Sequence, residues 1–403
     1  MKNTLYLSIL AAALMGGQVF AAVIPTTTDA EKVSDGFYAG EHSETADVSG
    51  GNVTINEEQE GGGDFSGSGV YGGYTRGAQA TANTVTMTGG QVGIVGGGYS
   101  VNGDATYNTV TVSDGRVDGV ICGGLGINGN ANNNIVSISG GRLPGVYGGQ
   151  GINGNADNNA VTISGGRFDS EVYGGNGDKS ANGNTITIKG GQVNNRVSGA
   201  WGAEEANGNT VTILGGQLEC NVYGARSNGT ANGNTVVLSS CVVNGDVVAA
   251  DASGTSTNNA IELYGTGISC QGMDCMQLLN FHIGDGLLLS QDAMVSLTLE
   301  VLDLAGVNLG FYNDDVQDWS VFDGKSITLV DAAQVITVGE GSMGEVEIKG
   351  EDGAVIATAT LALENSDKSL VLSNIKGTAP VPEPTTGTLS LLALAGLCIR
   401  RRK

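Results

Sequence analysis

Short runs in which apolar and hydroxyl-bearing residues alternate are the most regular feature of the chain between residues 83 and 264. In one such run, Val161 and Ile163 flank Thr162. Side chains of successive residues in a β-strand point to opposite faces, so this alternation predicts strands with a buried apolar face and an outer face of hydroxyl groups. Equivalent apolar pairs are Val85 and Met87, Val110 and Val112, Val136 and Ile138, and Ile186 and Ile188.

An asparagine opens each of these runs, and successive asparagines are 25 or 26 residues apart. A repeat of such constant length is typical of a solenoid, in which stacked coils share a core that no single coil could bury. The chain is therefore predicted to be all-β, with a right-handed parallel β-helix of about 25-residue coils over residues 46–265. The asparagines are Asn83, Asn108, Asn134, Asn159, Asn184, Asn209, Asn234 and Asn259.

These asparagines are predicted to form one vertical column in the folded solenoid. Neighbouring coils of a parallel β-helix lie about 4.8 Å apart, so equivalent amides can bond to each other up the stack. A column of this kind satisfies polar groups at a corner where the backbone is irregular. We therefore assign the asparagines a structural role, in preference to glycosylation or ligand binding.

Two more apolar positions in every repeat complete the predicted core. Gly-Gly pairs between the strands allow sharp corners, because glycine adopts positive φ without a Cβ clash. The position nine residues after each asparagine holds Val92, Val117, Leu143, Phe168, Val193, Leu218 and Val243. A recurring valine supplies the other position: Val70, Val95, Val120, Val146, Val172, Val197, Val222 and Val247.

The segments around the repeats have different characters. Residues 1–22 join a basic residue, an apolar stretch and small residues, and are predicted to be a secretory signal peptide. Residues 23–45 are predicted to be an N-terminal lead-in or cap, and a degenerate first coil begins near Asp47. Residues 266–378 lose the period but keep apolar alternation, which predicts a β-rich terminal domain that covers the last coil's strand edges. An irregular continuation of the β-helix and a separate sandwich both fit this pattern.

The last segment, residues 379–403, has three parts in a fixed order. The sequence Pro382-Glu383-Pro384 is followed by an apolar run at 389–399 and then by basic residues. This ending resembles the PEP-CTERM sorting signal of Gram-negative bacteria. The resemblance implies export across the inner membrane, retention by the tail, and processing by an exosortase near the Pro-Glu-Pro. The basic residues are Arg400, Arg401, Arg402 and Lys403.

The apolar part of the tail is predicted to form a short helix. Its 15 residues, 385–399, would span about 22 Å at about 1.5 Å per residue, against a hydrocarbon core of about 30 Å. The terminal cations would remain on the cytoplasmic side. Transient retention before cleavage and a permanent short anchor both fit this length.

Composition narrows the classes of partner. The 403-residue chain has 41 acidic and 18 basic side chains, a formal net charge of −23 at pH 7. Phosphate binding needs clustered Lys and Arg, so no nucleic-acid partner is expected. An acidic, solvated extracellular surface fits this charge better. The Gly- and Asn-rich coils also resemble the passenger domains of autotransporter-type surface proteins.

No constellation in the sequence indicates catalysis, a cofactor or a metal. Enzymes with β-helix folds need clustered acids on one face of the coils, whereas acids in these repeats occupy scattered positions. The two histidines, His42 and His282, lie outside the regular repeats. We therefore predict that the chain is not an enzyme.

Two columns are predicted to point outward and are candidates for glycan contact. The first consists of Tyr71, Tyr147, Tyr173 and Tyr223, which follow the recurring valine. Exposed tyrosines along a solenoid can stack on sugar rings, although a ladder without a ligand has the same appearance. The second consists of Arg116, Arg142 and Arg167, eight residues after their asparagines. These guanidinium groups either read the anionic groups of acidic glycans or lie on the sheet with Asp114, Asp118 and Asp169 neutralising them.

Cysteine usage adds one structural prediction. An exported chain meets an oxidising compartment, so Cys270 and Cys275 are predicted to form a small-loop disulfide. For Cys122, Cys220 and Cys241 the sequence favours no particular pairing.

Together these patterns lead us to expect an exported, surface-displayed structural or adhesive component of a Gram-negative cell envelope or extracellular matrix. Expected partners are an exosortase, the inner membrane through the tail, and extracellular polysaccharide or acidic glycan. The competing functions are a carbohydrate-active β-helix enzyme that acts on extracellular polysaccharide, and a passive spacer.

Overall fold

The structure is a computed structural model that describes residues 31–34, 37–56, 65–289 and 292–377. The predicted signal peptide, the Pro382-Glu383-Pro384 motif and the hydrophobic tail helix lie outside the described residues. Among the residues that the structure describes, no helix is both long and apolar enough to cross a membrane.

The described chain is a parallel β-solenoid of about nine turns, with successive turns about 25 residues apart. Each turn contributes strands to three stacks, which follow one another along the chain. Strands within a stack pair in parallel and in register, so Val136 lies between Val110 and Val161. This arrangement confirms the predicted all-β solenoid.

The first stack contains the runs of alternating apolar and hydroxyl-bearing residues. In Ala160–Ile163, Val161 and Ile163 face the interior, whereas Ala160 and Thr162 lie on the outer face. The repeat strands are Asn52–Ile55, Thr84–Met87, Thr109–Val112, Ile135–Ile138, Ala160–Ile163, Thr185–Ile188, Thr210–Ile213, Thr235–Ser239 and Ala260–Tyr264.

The second stack consists of short strands that place one side chain in the core in the regular coils and two or more in its last three strands. Its strands after the second full turn are Arg116–Val117, Arg142–Leu143, Arg167–Phe168, Gln192–Val193, Gln217–Leu218, Val242–Val243, Ile268–Cys270, Val295–Leu297 and Ile327–Ala332. Earlier in the chain the long strands Phe65–Thr75 and Gln91–Ser100 join the second stack to the third.

The third stack begins with Phe37–Ser43, inside the segment predicted to be a lead-in, because this strand pairs in parallel with Phe65–Thr75. Its later strands are Ile121–Gly126, Val146–Gly151, Val172–Gly177, Arg196–Gly202, Asn221–Tyr223, Arg226–Ser227, Val247–Val248, Asp251–Ala252 and Met273–Asp274. Ile121 aligns with Val95 and Val146, so it occupies the core position that was predicted for Val120. Val120 is half-buried beside it, because the repeat gains one residue at this corner.

One continuous core fills the solenoid. The four predicted inward positions of a typical coil, Val161, Ile163, Phe168 and Val172, are each at most 1% exposed. Equivalent side chains of successive coils pack on each other, so each coil buries its apolar face against its neighbours.

The asparagine column is confirmed and is buried along its whole length. Each side-chain oxygen accepts from two groups of the preceding coil: Oδ1 of Asn159 accepts from the backbone N–H of Asn134 at 2.9 Å and from its Nδ2 at 3.0 Å. The same geometry recurs from Asn83 to Asn259. At the two ends, the N–H of Gly51 donates to Asn83, and Gln277 accepts from Asn259.

Two local features position this column. The residue before each ladder asparagine has a positive φ, as at Asn158, where φ is 57°. Asparagine and glycine tolerate this left-handed conformation best and occupy most of these positions. On the facing strand, a side chain at Gly98 would begin only 2.5 Å from Nδ2 of Asn108. The third stack therefore carries small residues where it passes over the column, with glycine in the coils up to Gly175 and alanine at Ala200 and Ala225 in the coils that follow.

The stacking continues beyond residue 265, although the 25-residue period ends there. The first stack extends through Leu278–Ile283 and Asn308–Asn313, both in parallel pairing. Val355–Glu364 then pairs antiparallel with both Gly344–Lys349 and Ser369–Gly377. Of the two arrangements that fitted the sequence, the structure has the irregular continuation, ended by an antiparallel cap.

Smaller elements complete the described chain. Glu31–Ser34 pairs antiparallel with the first strand of the third stack. Leu302–Leu304 pairs with Ile336–Val338, and a three-stranded parallel group lines the loop side of the first coils. This group consists of Val48–Ser49, Ala80–Thr81 and Ala105–Thr106. Gly286–Leu289 is an α-helical turn, and Trp319–Phe322 is a 3-10 turn capped by Asp318.

Candidate functional site

The outer face of the third stack bends into a concave surface that we call the outer furrow. Two residues between Tyr71 and Tyr74 are glycines, and a Cβ at either would meet the buried Asn83. The tyrosines on either side both point outward, and their ring centroids lie 6.3 Å apart. Outward side chains converge in this way only where the sheet bends toward them.

Equivalent residues of the stacked strands line the outer furrow in two columns. The first column is Tyr71, Gly96, Cys122, Tyr147, Tyr173, Ser198, Tyr223 and Val248. The second column is Tyr74, Tyr99, Leu125, Gln150, Asn176, Trp201, Arg226 and Asp251.

Apolar side chains close the N-terminal half of the furrow. The Tyr99 ring lies 5.2 Å from that of Tyr71 and is stacked 5.1 Å from that of Tyr74, measured between centroids. Leu125 is fully buried in the same cluster. Burial raises the pKa of Tyr71 well above its ordinary value and that of Tyr99 to about 12. This half of the furrow is a second apolar core, which lies on the outer face of the third stack and is separate from the interior core of the solenoid.

The expectation that the tyrosine column is exposed is wrong for three of its four members. Tyr71, Tyr147 and Tyr173 are 1%, 8% and 3% exposed, and Tyr223 is half-buried. These tyrosines point outward, as the alternation predicts. They are nevertheless buried, because the bend of the sheet brings neighbouring outward side chains over their rings. Tyr147 and Tyr173 stack on each other at 5.4 Å instead of presenting free faces.

Polar and aromatic side chains line the other half, the open half of the furrow. Gln150, Asn176 and Trp201 lie in consecutive coils, and all three are half-buried. Oδ1 and Nδ2 of Asn176 and Nε1 of Trp201 form no hydrogen bond to any other described residue. Gln150 contacts the thiol of Cys122, with Sγ 3.8 Å from Oε1. Sequence reasoning missed this column, because its residues share a position but no residue type.

Charged side chains in the open half are paired with each other. Arg196 lies 2.7 Å from Oε1 of Glu171 through Nη1, which also donates to the hydroxyl of Tyr173 at 3.1 Å. Arg226 lies 3.1 Å from Oδ2 of Asp251, and its guanidinium carbon is 5.1 Å from the centroid of the Tyr223 ring. The furrow therefore presents two ion pairs with no net charge.

The arginine stripe lies on a different face, on the outer side of the second stack. Arg116, Arg142 and Arg167 align in register and are all exposed. Asp118 lies 2.6 Å from Arg116, and Asp169 lies within 3.3 Å of both other arginines. Hydrogen bonds from Arg167, Asn194 and Arg142, together with the charge of Arg167, lower the pKa of Asp169 against a smaller effect of burial. The geometry supports the neutralised arrangement through Asp118 and Asp169, whereas Asp114 accepts from a backbone N–H.

A group near the end of the solenoid was not found from the sequence. Nε2 of His282 lies 2.6 Å from Oε2 of Glu262, and Asn280 donates to Oε1 of the same carboxylate at 2.7 Å. The imidazole stacks between Tyr264 and Tyr312, at 3.8 and 5.3 Å between centroids. The residues meet because the strands pair at an 18-residue offset, Ala260 to Leu278, which the 25-residue period does not predict.

This group fastens successive strands of the first stack to each other. A cavity of about 250 Å³ lies beside it, lined by Gly310, Tyr312, Glu347 and Lys349 among others. Burial alone would raise the pKa of Glu262, but the hydrogen bonds from His282 and Asn280 and the attraction of His282 lower it overall. Over the described ranges, no three His, Cys, Asp or Glu side chains converge as a metal site requires.

The predicted disulfide between Cys270 and Cys275 is wrong. Both thiols are free, as are those of Cys122, Cys220 and Cys241. Cys270 points into the core from the strand Ile268–Cys270, whereas Cys275 lies in a turn and is exposed. Burial raises the pKa of Cys270 to about 12, so this thiol behaves as an apolar core group.

Comparisons with protein-family models, with curated protein sequences and with solved structures give no match to this chain.

Proposed function

We propose that this chain is an exported structural and adhesive component of a bacterial cell surface or extracellular matrix. The observation that carries the proposal is the uninterrupted stack of coils, held by the core and by the buried asparagine column. About nine coils at about 4.8 Å each form a rod roughly 40 Å long. Its coils place outward side chains at one regular spacing along the axis, which suits contact with a repetitive polymer.

The tail supplies the argument for export. The Pro382-Glu383-Pro384 motif, the apolar run and the terminal cations resemble a sorting signal, and they lie outside the described residues. A tail of this kind would hold the chain at the inner membrane until an exosortase acts on it. The solenoid would then be released to the surface or to the matrix.

Cell fractionation combined with mass spectrometry of the mature C-terminus tests the proposal. The protein should be found at the surface or in the matrix, and it should lack Arg400 to Lys403. Replacement of Pro382, Glu383 and Pro384 together by alanine should leave the chain unprocessed in the inner membrane. Thr385→Ala with Thr386→Ala is the matched control and should be processed like the parent.

Two outcomes would contradict the proposal. One is a surface-exposed mature form that retains Lys403, which would reject processing near the motif. The other is a chain that stays in the cytoplasm with residues 1–22 intact, which would reject export altogether.

A further inference from the structure

We propose that the open half of the outer furrow, around Asn176 and Trp201, binds an extended neutral polysaccharide. The inference deepens the proposed adhesive function and rests on it, because it assigns the surface and the class of ligand. The proposed glycan contact is therefore not the buried tyrosine column but the neighbouring column, whose polar atoms are accessible.

The lining residues have the chemistry that sugar hydroxyl groups and sugar rings require. The amides of Gln150 and Asn176 supply both donors and acceptors, and the indole of Trp201 supplies a flat apolar face and an N–H donor. The side-chain polar atoms of Asn176 and Trp201 have no partner among the described residues. A ligand that pairs with them displaces no hydrogen bond of the folded chain.

The spacing favours a chain that runs along the axis of the solenoid. Gln150, Asn176, Trp201 and Arg226 occupy consecutive coils in register. Coils about 4.8 Å apart match the length of one pyranose unit, so each coil meets one sugar residue. The fully buried Leu125 closes the furrow at one end, which limits the site to about four coils.

Charge decides between neutral and acidic polymers. Arg196 and Arg226 are paired with Glu171 and Asp251, so neither guanidinium is free for a uronate or sulfate group. The chain as a whole carries a formal charge of −23, which repels polyanions. A neutral, hydroxyl-rich polymer is attracted by amides and aromatic rings without this repulsion.

Affinity electrophoresis of the full chain tests the inference with three polymers in the gel. The probes are hydroxyethyl cellulose and galactomannan, which are neutral, and alginate, which is acidic. We expect at least one neutral polymer to retard the parent and alginate to have no effect. Trp201→Ala and Asn176→Ala should each weaken binding of the neutral polymer roughly fivefold, as loss of one aromatic or hydrogen-bonded contact predicts.

Controls separate binding from folding. Tyr107→Asn removes an exposed aromatic ring outside the furrow and should bind like the parent, since Asn133 holds the equivalent position in the next coil. If Trp201→Ala lowers the thermal midpoint, Asn176→Ala decides the question, because that amide has no intramolecular partner to lose. Retention of full binding by a folded Asn176→Ala would overturn the inference.

Two further results would also overturn the inference. A parent that neither neutral polymer retards, or that only alginate retards, overturns the furrow as a neutral-glycan site. Fractionation of the same parent then shows whether the protein reaches the surface even though the furrow binds no neutral glycan. Failure of the inference and failure of the proposed function are therefore distinguishable.

Discussion

At the scale of single residues, the asparagine column explains why one amide recurs in every coil. Its oxygen accepts from a backbone N–H and from the amide of the neighbouring asparagine, as Asn159 does for Asn134. The column is fully buried, so water cannot replace these partners. Aspartate has no donor to continue the column, and alanine has neither donor nor acceptor.

Asn159→Ala should destabilise the surrounding coils by about 2–4 kcal/mol, because it leaves the N–H of Asn134 buried and unpaired. Asn153→Ala is a matched control, since Asn153 also bonds the preceding coil, through Asn128, but is exposed. It should change the free energy of unfolding by no more than about 0.5 kcal/mol. Amide hydrogen exchange of residues 134–138 measures both, and equal protection in the two variants would contradict the role of the column.

At the scale of elements, the strands of the first stack show how much the sequence predicts. Alternation and spacing are local, so they give the strands, the inward residues and the register of Val161 between Val136 and Ile186. The bend of the third stack breaks this alternation, because two successive residues, such as Gly148 and Gly149, both face the interior. The alternation alone therefore does not show that the outward side chains on either side of them converge. The burial of Tyr147 and Tyr173 follows from that bend and not from their own position in the repeat.

A pair of substitutions on one strand tests the assignment of faces. Val161→Asp should destabilise by several kcal/mol, because Val161 is 1% exposed and the carboxylate would be buried without a partner. Thr162→Asp, one residue along on the outer face, should cost no more than about 1 kcal/mol. Denaturant midpoints of the two variants give the comparison, and similar values would reject the assignment of inner and outer faces.

The contact between His282 and Glu262 makes the stability of the folded chain depend on pH. The pKa of Glu262 is lower in the folded chain than its ordinary value of 4.5, so the unfolded chain binds more protons in this range. The resulting stability is present above pH 4.5 and is lost as the pH falls through the lower folded pKa. The protection factors of the amides in Leu278–Ile283, taken relative to the intrinsic exchange rate at each pH, should therefore fall on acidification below pH 4.5.

Glu262→Gln tests the origin of this effect. The amide fills the same space, cannot titrate, and should flatten the pH dependence of these protection factors over the same range. An unchanged dependence in the variant would assign the acid sensitivity to another group.

At the scale of the whole molecule, the two outward faces resemble each other in charge. The chain is strongly acidic, and both the furrow and the arginine stripe have their cations paired. The sequence located the stripe and its counter-ions, because both lie on the regular second stack. It could not locate the furrow, since neither Trp201 nor Asn176 resembles its equivalents in neighbouring coils.

Two complementary variants test whether the charges of the arginine stripe are neutralised or free to bind anions. The variant in which glutamine replaces Arg116, Arg142 and Arg167 should bind no alginate, like the parent, because these charges are already neutralised. Asp118→Asn with Asp169→Asn should free the guanidinium groups and create alginate binding that weakens as salt rises. Weaker binding in the glutamine variant than in the parent would instead show that the stripe reads anions in the native protein.

The near-constant spacing of the asparagines has a genetic consequence. Each coil meets its neighbours through the same hydrogen bonds, so recombination between direct repeats in the gene can remove or add one complete coil without breaking the column. Loss of residues 160–184, for example, would join Asn159 to the strand at Thr185 and would bring its amide against Asn209. Gln277 would still close the column at its end. Variants of this protein should therefore differ in length by whole coils, each of which changes the rod by about 4.8 Å.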